Sequence, residues 1–344
     1  MNAPTLSTLL AYAIQSGASD LHLSTGETPY LRIDGSMTSV SMPPLSHDDT
    51  IAMLGVHMSD DQLEQLAEHR EIDFSFEIKE LSRFRANVFF QNRGVAAVFR
   101  IIPSQIPTMS ALNLSDTFKQ LCTLRQGLIL VTGATGSGKS TTLAAMIDHI
   151  NETRAAHVLT IEDPIEFIHH SKRSLINQRE VHRDTHSFDH ALKSALREDP
   201  DVILIGELRD LESIRLALRA AETGHLVLAT LHTNSATKAI DRIIDVFDSH
   251  EKSMIRTMLS ESLQAIIAQT LMPKANGGRI ATHEIMIATP AIRNLIRENK
   301  TAQMRSAIQT GAADGMVSLE HSLKHLIEQG LISIDAAKPI AKDI

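Results

Sequence analysis

Gly133-Ala134-Thr135-Gly136-Ser137-Gly138-Lys139-Ser140, followed by Thr141, is the stretch on which the fold turns. Its three glycines let successive backbone N–H groups curl round phosphates, and a helix starting at the lysine adds a positive dipole. Lys139 can reach β- and γ-phosphates, and the Ser140 hydroxyl can ligate Mg²⁺. The surroundings fit. Residues 127–132 (GLILVT) read as a buried strand, and residues 141–150 continue as a helix. A chance glycine-rich turn would lack both flanks, so the stretch reads as a complete P-loop.

Working outward, further apolar runs without polar alternation occur at residues 157–161 (HVLTI), 201–205 (DVILI) and 226–230 (LVLAT). Helix-length segments separate them. Strands buried on both faces between crossover helices mean a parallel α/β sheet, placed at residues 114–273. Residues 103–113 (PSQIPTMSALN) hold two prolines and little periodicity, which marks a linker. Residues 1–102 read as a small α+β domain. It has a helix over 5–15 closed by Gly17, strands at 20–24 and 30–34, and a turn at Asp34-Gly35. One helical stretch is expected from Ser46 to about Ala67, then a hairpin of residues 83–91 (RFRANVFFQ) and 95–102 (VAAVFRII). After Leu271 the pattern is mostly helical, giving a C-terminal helical region over 274–344.

Composition excludes several classes. A chain of 344 residues with 43% hydrophobic and 22% charged residues reads as ordinary and globular. One cysteine rules out a disulfide framework and a four-cysteine zinc module. A net charge of −8 and 3% aromatics argue against a nucleic-acid surface. No apolar run approaches the roughly 20 residues of a membrane span.

Other residues point to the same chemistry. Glu162-Asp163-Pro164-Ile165-Glu166 directly follows a strand, where carboxylates enter the crevice in which α/β sheets bind ligands. Residues 201–207 look like a Walker B strand, but Gly206 stands where the metal-binding Asp is usual. Glu207 is therefore the candidate to orient or deprotonate water, with metal support expected from Ser140, Glu162 and Glu166. His232 follows the last strand and is a candidate phosphate sensor. His225 precedes that strand, where a structural hydrogen bond and a role toward nucleotide both stay open. The pairs His169/His170 and His182/His186 have no ligand framework and read as surface histidines. Arg83 and Arg85 share one face of a strand and Arg100 lies on its neighbour. They are either a solvated face or a set aimed at nucleotide phosphates.

Together these stretches resemble the secretion-type P-loop ATPases, and within them the type IV pilus retraction branch. The likeness runs through residues 18–24 (ASDLHLS), the RFR hairpin, the P-loop and the acidic turn as the family's Asp box. It continues through residues 177–184 (NQREVHRD), 195–201 (ALREDPD), 224–236 (GHLVLATLHTNSA) as its His box, and 291–298 (AIRNLIRE). The resemblance implies a RecA-like motor domain behind a PAS-like domain. It implies a homo-hexamer, cytoplasmic and peripheral at the inner membrane, that hydrolyses ATP with Mg²⁺ to withdraw pili through an inner-membrane platform protein. Glu207 would be the catalytic carboxylate, Glu162 and Glu166 part of the Asp box, and His225 and His232 of the His box. Arg83, Arg85 and Arg100 would reach phosphates. Arg125 stands one residue earlier than the family pattern places it. A single cysteine and a start at the small domain favour retraction over pilus assembly. The rivals are an accessory paralogue with which such a motor can act, a related secretion ATPase, a RecA-like nucleic-acid motor, and a nucleotide-binding scaffold without turnover. Thr289 and Pro290 should start a helix with Arg293 and Arg297 on one polar face, expected to transmit ring motion to the pilus machinery or to couple neighbouring subunits rather than to serve folding.

Overall fold

Side-chain caps fix where the first helices begin. Thr5 accepts from the Thr8 amide and opens α1 (Leu6–Gln15), whose Leu6, Leu9, Leu10 and Ala13 are buried. Strands β1 (Asp20–Ser24), β2 (Tyr30–Ile33) and β3 (Ser36–Ser39) follow. The single helix expected from Ser46 is two, α2 (His47–Gly55) and α3 (Asp60–His69). Ser59 forms a second capping box with Gln62, just as Ser46 does with Asp49, and so starts a new helix. Then come β4 (Glu71–Ile78), β5 (Ser82–Gln91) and β6 (Gly94–Ile102). The strands form one antiparallel sheet in the order β3-β2-β1-β6-β5-β4. Phe84, Phe99, Leu21 and Val88 sit in its core without solvent exposure.

The computed structural model describes residues 5–33, 35–102 and 105–340, and the chain falls into two compact units, Met1–Gln105 and Ile106–Ile344. Asp34, Pro103 and Ser104 lie outside the described residues, and with them half of the expected turn and the first two linker residues.

The second unit runs α4 (Asp116–Cys122), β7 (Gly127–Thr132), α5 (Lys139–Thr153), β8 (His157–Glu162), β9 (Leu175–Glu180), α6 (Phe188–Ala195), β10 (Val202–Ile205), α7 (Leu211–Glu222) and β11 (Leu226–Leu231). It continues with α8 (Ala236–Asp245), α9 (Lys252–Ser262), β12 (Leu263–Pro273), β13 (Arg279–Ile287), α10 (Pro290–Arg297), α11 (Thr301–Thr310), α12 (Leu319–Glu328) and α13 (Ile334–Ala337). The sheet order is β13-β12-β7-β11-β10-β8-β9, parallel except for the β12–β13 hairpin. That hairpin corrects the expectation of a helical tail from Leu271. Ile280, Thr282 and Met286 of β13 are buried in strand register, not on a helical stripe.

All six residues of β7 and of β11 are buried, as strands covered on both faces must be. Register aligns Thr132 with Leu231 and Ile205 with Ile161. The segments leaving β7, β8, β10 and β11 therefore emerge together at the carboxyl edge of the sheet. Among the described residues no helix is long and apolar enough to cross a membrane.

Candidate phosphate-binding site

The loop after β7 takes the conformation its glycines permit. Gly133, Gly136 and Gly138 have φ of 152°, 76° and 85°, a region that side chains strain to enter. A Cβ on Gly133 would also lie 2.4 Å from the Gln269 carbonyl oxygen. Ala134, Thr135 and Gly136 are exposed, Ser137 is buried, and α5 starts at Lys139 with Ser140 and Thr141 in its first turn. The Ser137 hydroxyl has no hydrogen-bond partner among the described residues. Lys139 is 8% exposed, and its Nζ donates to Gly133 O at 2.9 Å and Ala134 O at 3.1 Å. Burial lowers its pKa, while the nearby charges of Glu207 and Glu166 oppose that shift.

Beyond β10, Glu207 is held from two sides. Its Oε2 accepts from Arg209 Nε at 2.8 Å, and its Oε1 lies 3.0 Å from His232 Nε2. Arg209 also reaches Asp163 at 3.2 Å, so one guanidinium joins the acidic turn to Glu207. Gly206, where an aspartate is usual, is closely surrounded. A Cβ there would stand 3.2 Å from the Glu162 Cα and 3.4 Å from Ile161 O, and the Gly206 amide donates to that carbonyl at 2.8 Å.

The acidic turn is braced by β9. Buried Glu180 accepts from the Ile165 amide at 3.0 Å. Gln178 donates to Phe167 O at 2.9 Å and to Glu162 at 3.3 Å, and accepts from the His169 amide at 2.7 Å. Thr160 donates to Glu162 at 2.6 Å. Burial nonetheless pushes the Glu162 carboxyl up to about 7, against those hydrogen bonds. Ser140, Glu162, His169, Gly206 and Thr230 line one cavity of about 30 Å³. Exposed Glu166 bears electrostatically on both Glu162 and Lys139. A hydroxyl and a carboxylate in one cavity beside the loop, with the Glu166 charge near, are the hard oxygen donors that Mg²⁺ takes with water and phosphate, so the residues fit the ion.

Of the two readings open for His225, its contacts within the chain fit the structural hydrogen bond, and two other expectations change. His225 is not brought to the loop. It begins β11, about 20 Å from His232 along an extended strand, and its Nδ1 lies 3.0 Å from Ala220 O at the end of α7. His169 is no surface histidine. It is 8% exposed, and burial lowers its pKa to about 4. Arg293 faces the protein, as its contacts with α9 and with the residue after β13 show: its guanidinium donates to Ser260 O at 2.6 Å, Glu261 O at 2.7 Å and Ala288 O at 2.8 Å.

In the first unit Arg85 and Arg100 are direct cross-strand neighbours, and Arg83 stands opposite Ile102. Two carboxylates offset the like charges. Arg100 Nε is 3.0 Å from Asp20, which is 4% exposed, and Arg85 is 3.8 Å from Asp73. These four line a depression of about 230 Å³ with Asn87 and Val98.

Arg209, Gln178 and Gln269 are what sequence reading missed around the site. Arg209 stands two residues after Glu207, a spacing without meaning until the segment after β10 is seen to bend. Gln178 lies in the NQREVHRD stretch that carries the resemblance but has no role assigned to it there, and Gln269 is one of two glutamines in a long strand.

A complete P-loop at the carboxyl edge of a parallel sheet, facing a strand-end glutamate, defines a P-loop NTPase domain. The chain belongs to the Type II/IV secretion system protein family, whose model matches residues 2–278. It is 60% identical to the type IV pilus retraction ATPase PilT of Pseudomonas aeruginosa, over 97% of both chains. It is 52% identical to a twitching motility protein of Neisseria gonorrhoeae, over 99% of this chain and 93% of the relative. The crystal structure of the pilus retraction motor PilT with bound ADP superposes with a TM-score of 0.92 at 48% identity, covering 99% of this chain and 98% of that one. The Legionella pneumophila ATPase DotB superposes at 0.86 with 29% identity, covering 99% and 96%.

Proposed function

We propose that this protein is an ATPase that drives type IV pilus retraction, and so twitching motility. The observation that carries the reading is the 60% identity, along 97% of both chains, to a retraction ATPase. The P-loop, Glu207 and His232 lie within that span. The accessory type IV pilus ATPase PilU of the same organism is more distant, at 40% over 96% of this chain.

In the proposed reaction Lys139 leaves the loop carbonyls it now binds and places its ammonium against the nucleotide phosphates. Loop amides from Gly133 to Thr141 cradle the same oxygens. Glu207 takes the proton of the attacking water, which requires one carboxylate oxygen to exchange Arg209 or His232 for that water. His232 then senses whether the γ-phosphate is present through its bond to Glu207. Ser140, Glu162 and Glu166 would hold Mg²⁺, which when bound neutralises phosphate charge. Arg83, Arg85 and Arg100 act on phosphate from the small unit. Arg85 and Arg100 would have to exchange Asp73 and Asp20 for the nucleotide.

We further propose a cytoplasmic homo-hexamer, peripheral at the inner membrane, that works on a platform protein at the pilus base, alone or beside a paralogue. The test pairs ATPase and size measurements on the purified chain with complementation of a retraction-deficient, non-twitching strain. Hydrolysis by a six-subunit particle and restored twitching are expected. An active ATPase that fails to restore twitching in a strain lacking the main motor, yet does so in one lacking its paralogue, would reassign the chain to the accessory role.

A further inference from the structure

Behind the P-loop, on the face away from any bound phosphate, lies an amide that no nucleotide motif includes. Gln269 of β12 is 2% exposed, and both ends of its side chain are engaged. Its Nε2 donates to Ser137 O at 2.7 Å. Its Oε1 accepts from the Thr142 hydroxyl at 2.8 Å and lies 3.2 Å from His283 Nε2. The amide orientation is fixed by its partners, because a carbonyl can only accept. The same logic puts a proton on His283 Nε2. His283 is the direct cross-strand neighbour of Gln269 and is 7% exposed. Its ring meets Phe118 edge-on at 5.1 Å, and its backbone amide donates to Ser322 of α12 at 3.1 Å.

The consequence follows from peptide planarity. Ser137 C=O and Gly138 N–H belong to one trans unit and point in opposite directions. An amide that draws the Ser137 carbonyl toward β12 turns the Gly138 N–H away from β12, into the hollow where phosphates are cradled. The same amide grips Thr142, one turn into α5, where the Thr142 amide donates to Gly138 O at 3.0 Å. Loop and helix are thus fixed to each other. The fit is close, since a Cβ on Gly138 would stand 3.0 Å from Gln269 Nε2.

We infer that Gln269, held in place by His283, is a positioning residue that sets the phosphate-binding conformation of the loop at Ser137-Gly138. This rests on the nucleotide-binding reading above and names a part of that site lying outside its motifs. The pair acts through the loop and touches no substrate. Without it the loop samples other orientations of that peptide, and affinity falls by the fraction of time the cradle is correctly formed.

The test uses the full-length chain, a fluorescent ADP analogue and thermal melting. Gln269→Met keeps the volume and removes both polar ends. It should weaken ADP binding about fivefold to tenfold, the scale of one or two neutral hydrogen bonds. His283→Phe keeps the packing on Phe118 and removes one bond to the amide, so about twofold to threefold is expected. The double variant should bind no more weakly than Gln269→Met alone, because His283 acts only through Gln269. Unchanged ADP affinity in Gln269→Met, whatever its Tm, overturns the inference, and so does a fully additive loss in the double variant. Should Gln269→Met fail to fold, Thr142→Val and His283→Phe serve instead. Wild-type affinity in both would overturn the inference equally. The wild-type chain is measured first: absence of ADP binding there strikes down the functional reading, and this inference with it.

Discussion

Lys139 and Glu207 make different demands on a nucleotide, and substitution should separate them. Lys139 would contact phosphates in the ground state, whereas Glu207 acts only as water attacks. Lys139→Ala should therefore lose ATP binding and hydrolysis together. Glu207→Gln should abolish hydrolysis but bind ATP at near wild-type affinity, and steady hydrolysis by that variant would sink its assignment as base. The arginines of the small unit need a more careful expectation than a solvated face would. Asp20 is 4% exposed and its Oδ1 is paired at 3.0 Å with Arg100 Nε, whose side chain is 66% exposed. Arg100→Ala leaves a buried carboxylate with one charge partner fewer. Solvent at the arginine screens the loss, so about 1 kcal/mol is expected by urea unfolding. Adding Asp20→Asn should restore most of it. If Arg100→Ala were neutral, the pair would have no structural weight and the arginine would be free to serve phosphate alone.

At the scale of elements, α10 is more than an amphipathic helix lying on the motor sheet. Arg293 donates to two carbonyls at the C-terminal end of α9, and also to Ala288 O and, at 3.3 Å, to Gln264. A cation over a helix C-terminus meets both the dipole and the unsatisfied carbonyls. Arg293→Ala should lower stability by about 2 kcal/mol, the scale of charge-assisted bonds. Arg297 is exposed and only touches the Ser260 hydroxyl at 3.5 Å, so Arg297→Glu should leave folding and ATP hydrolysis intact. If the polar face of α10 transmits motion, that variant alone should stop twitching when expressed at wild-type level. Normal twitching would end the idea. Sequence periodicity could find α10, because Thr289 caps it and Pro290 begins it, but not where Arg293 points. That depends on α9, whose end is 28 residues earlier in the chain than α10's start. The parallel strands were legible because Gly127–Thr132 and Leu226–Leu231 are apolar but for one threonine each and do not alternate with polar residues. β4 was legible too: Ile72, Phe74, Phe76 and Ile78 alternate, and the sequence reading passed over them. β3 was not, since all four of its residues are exposed. The P-loop could be found as consecutive residues. Gln269 could not, because it reaches Ser137 only after the sheet sets β12 beside β7.

For the whole molecule, two units with separate cores should unfold in two calorimetric steps. Under the nucleotide-binding reading, ADP should raise most the step that belongs to the residues 106–344 unit, and a rise of the other step would report phosphate contact by Arg83, Arg85 or Arg100; a single step moved as a block would argue for one cooperative body. Acid offers a sharper probe of that larger unit. His283 is fully desolvated by burial, with no charged neighbour shifting it, and its pKa is lowered to about 4 from the usual 6.5. The folded state therefore holds it neutral while the unfolded chain takes up a proton below about 6.5. Between pH 6.5 and 4 the unfolded state binds more protons, so stability falls as pH falls through that window. At pH 5 the His283 contribution amounts to about 2 kcal/mol. His169 titrates in the same direction. Glu162, raised from 4.5 to about 7, titrates in the opposite one, losing stability as pH rises from about 4.5 to 7. Total stability is thus a poor readout, and the difference between two proteins is the right one. In His283→Phe the other groups still titrate and cancel on subtraction. Its stability relative to wild type should improve by about 2 kcal/mol between pH 7 and pH 5, measured as urea midpoints of the larger unit's transition. An offset that stays constant across that range would mean that the folded chain protonates His283 as readily as the unfolded one, and burial would not be holding the ring neutral at pH 5.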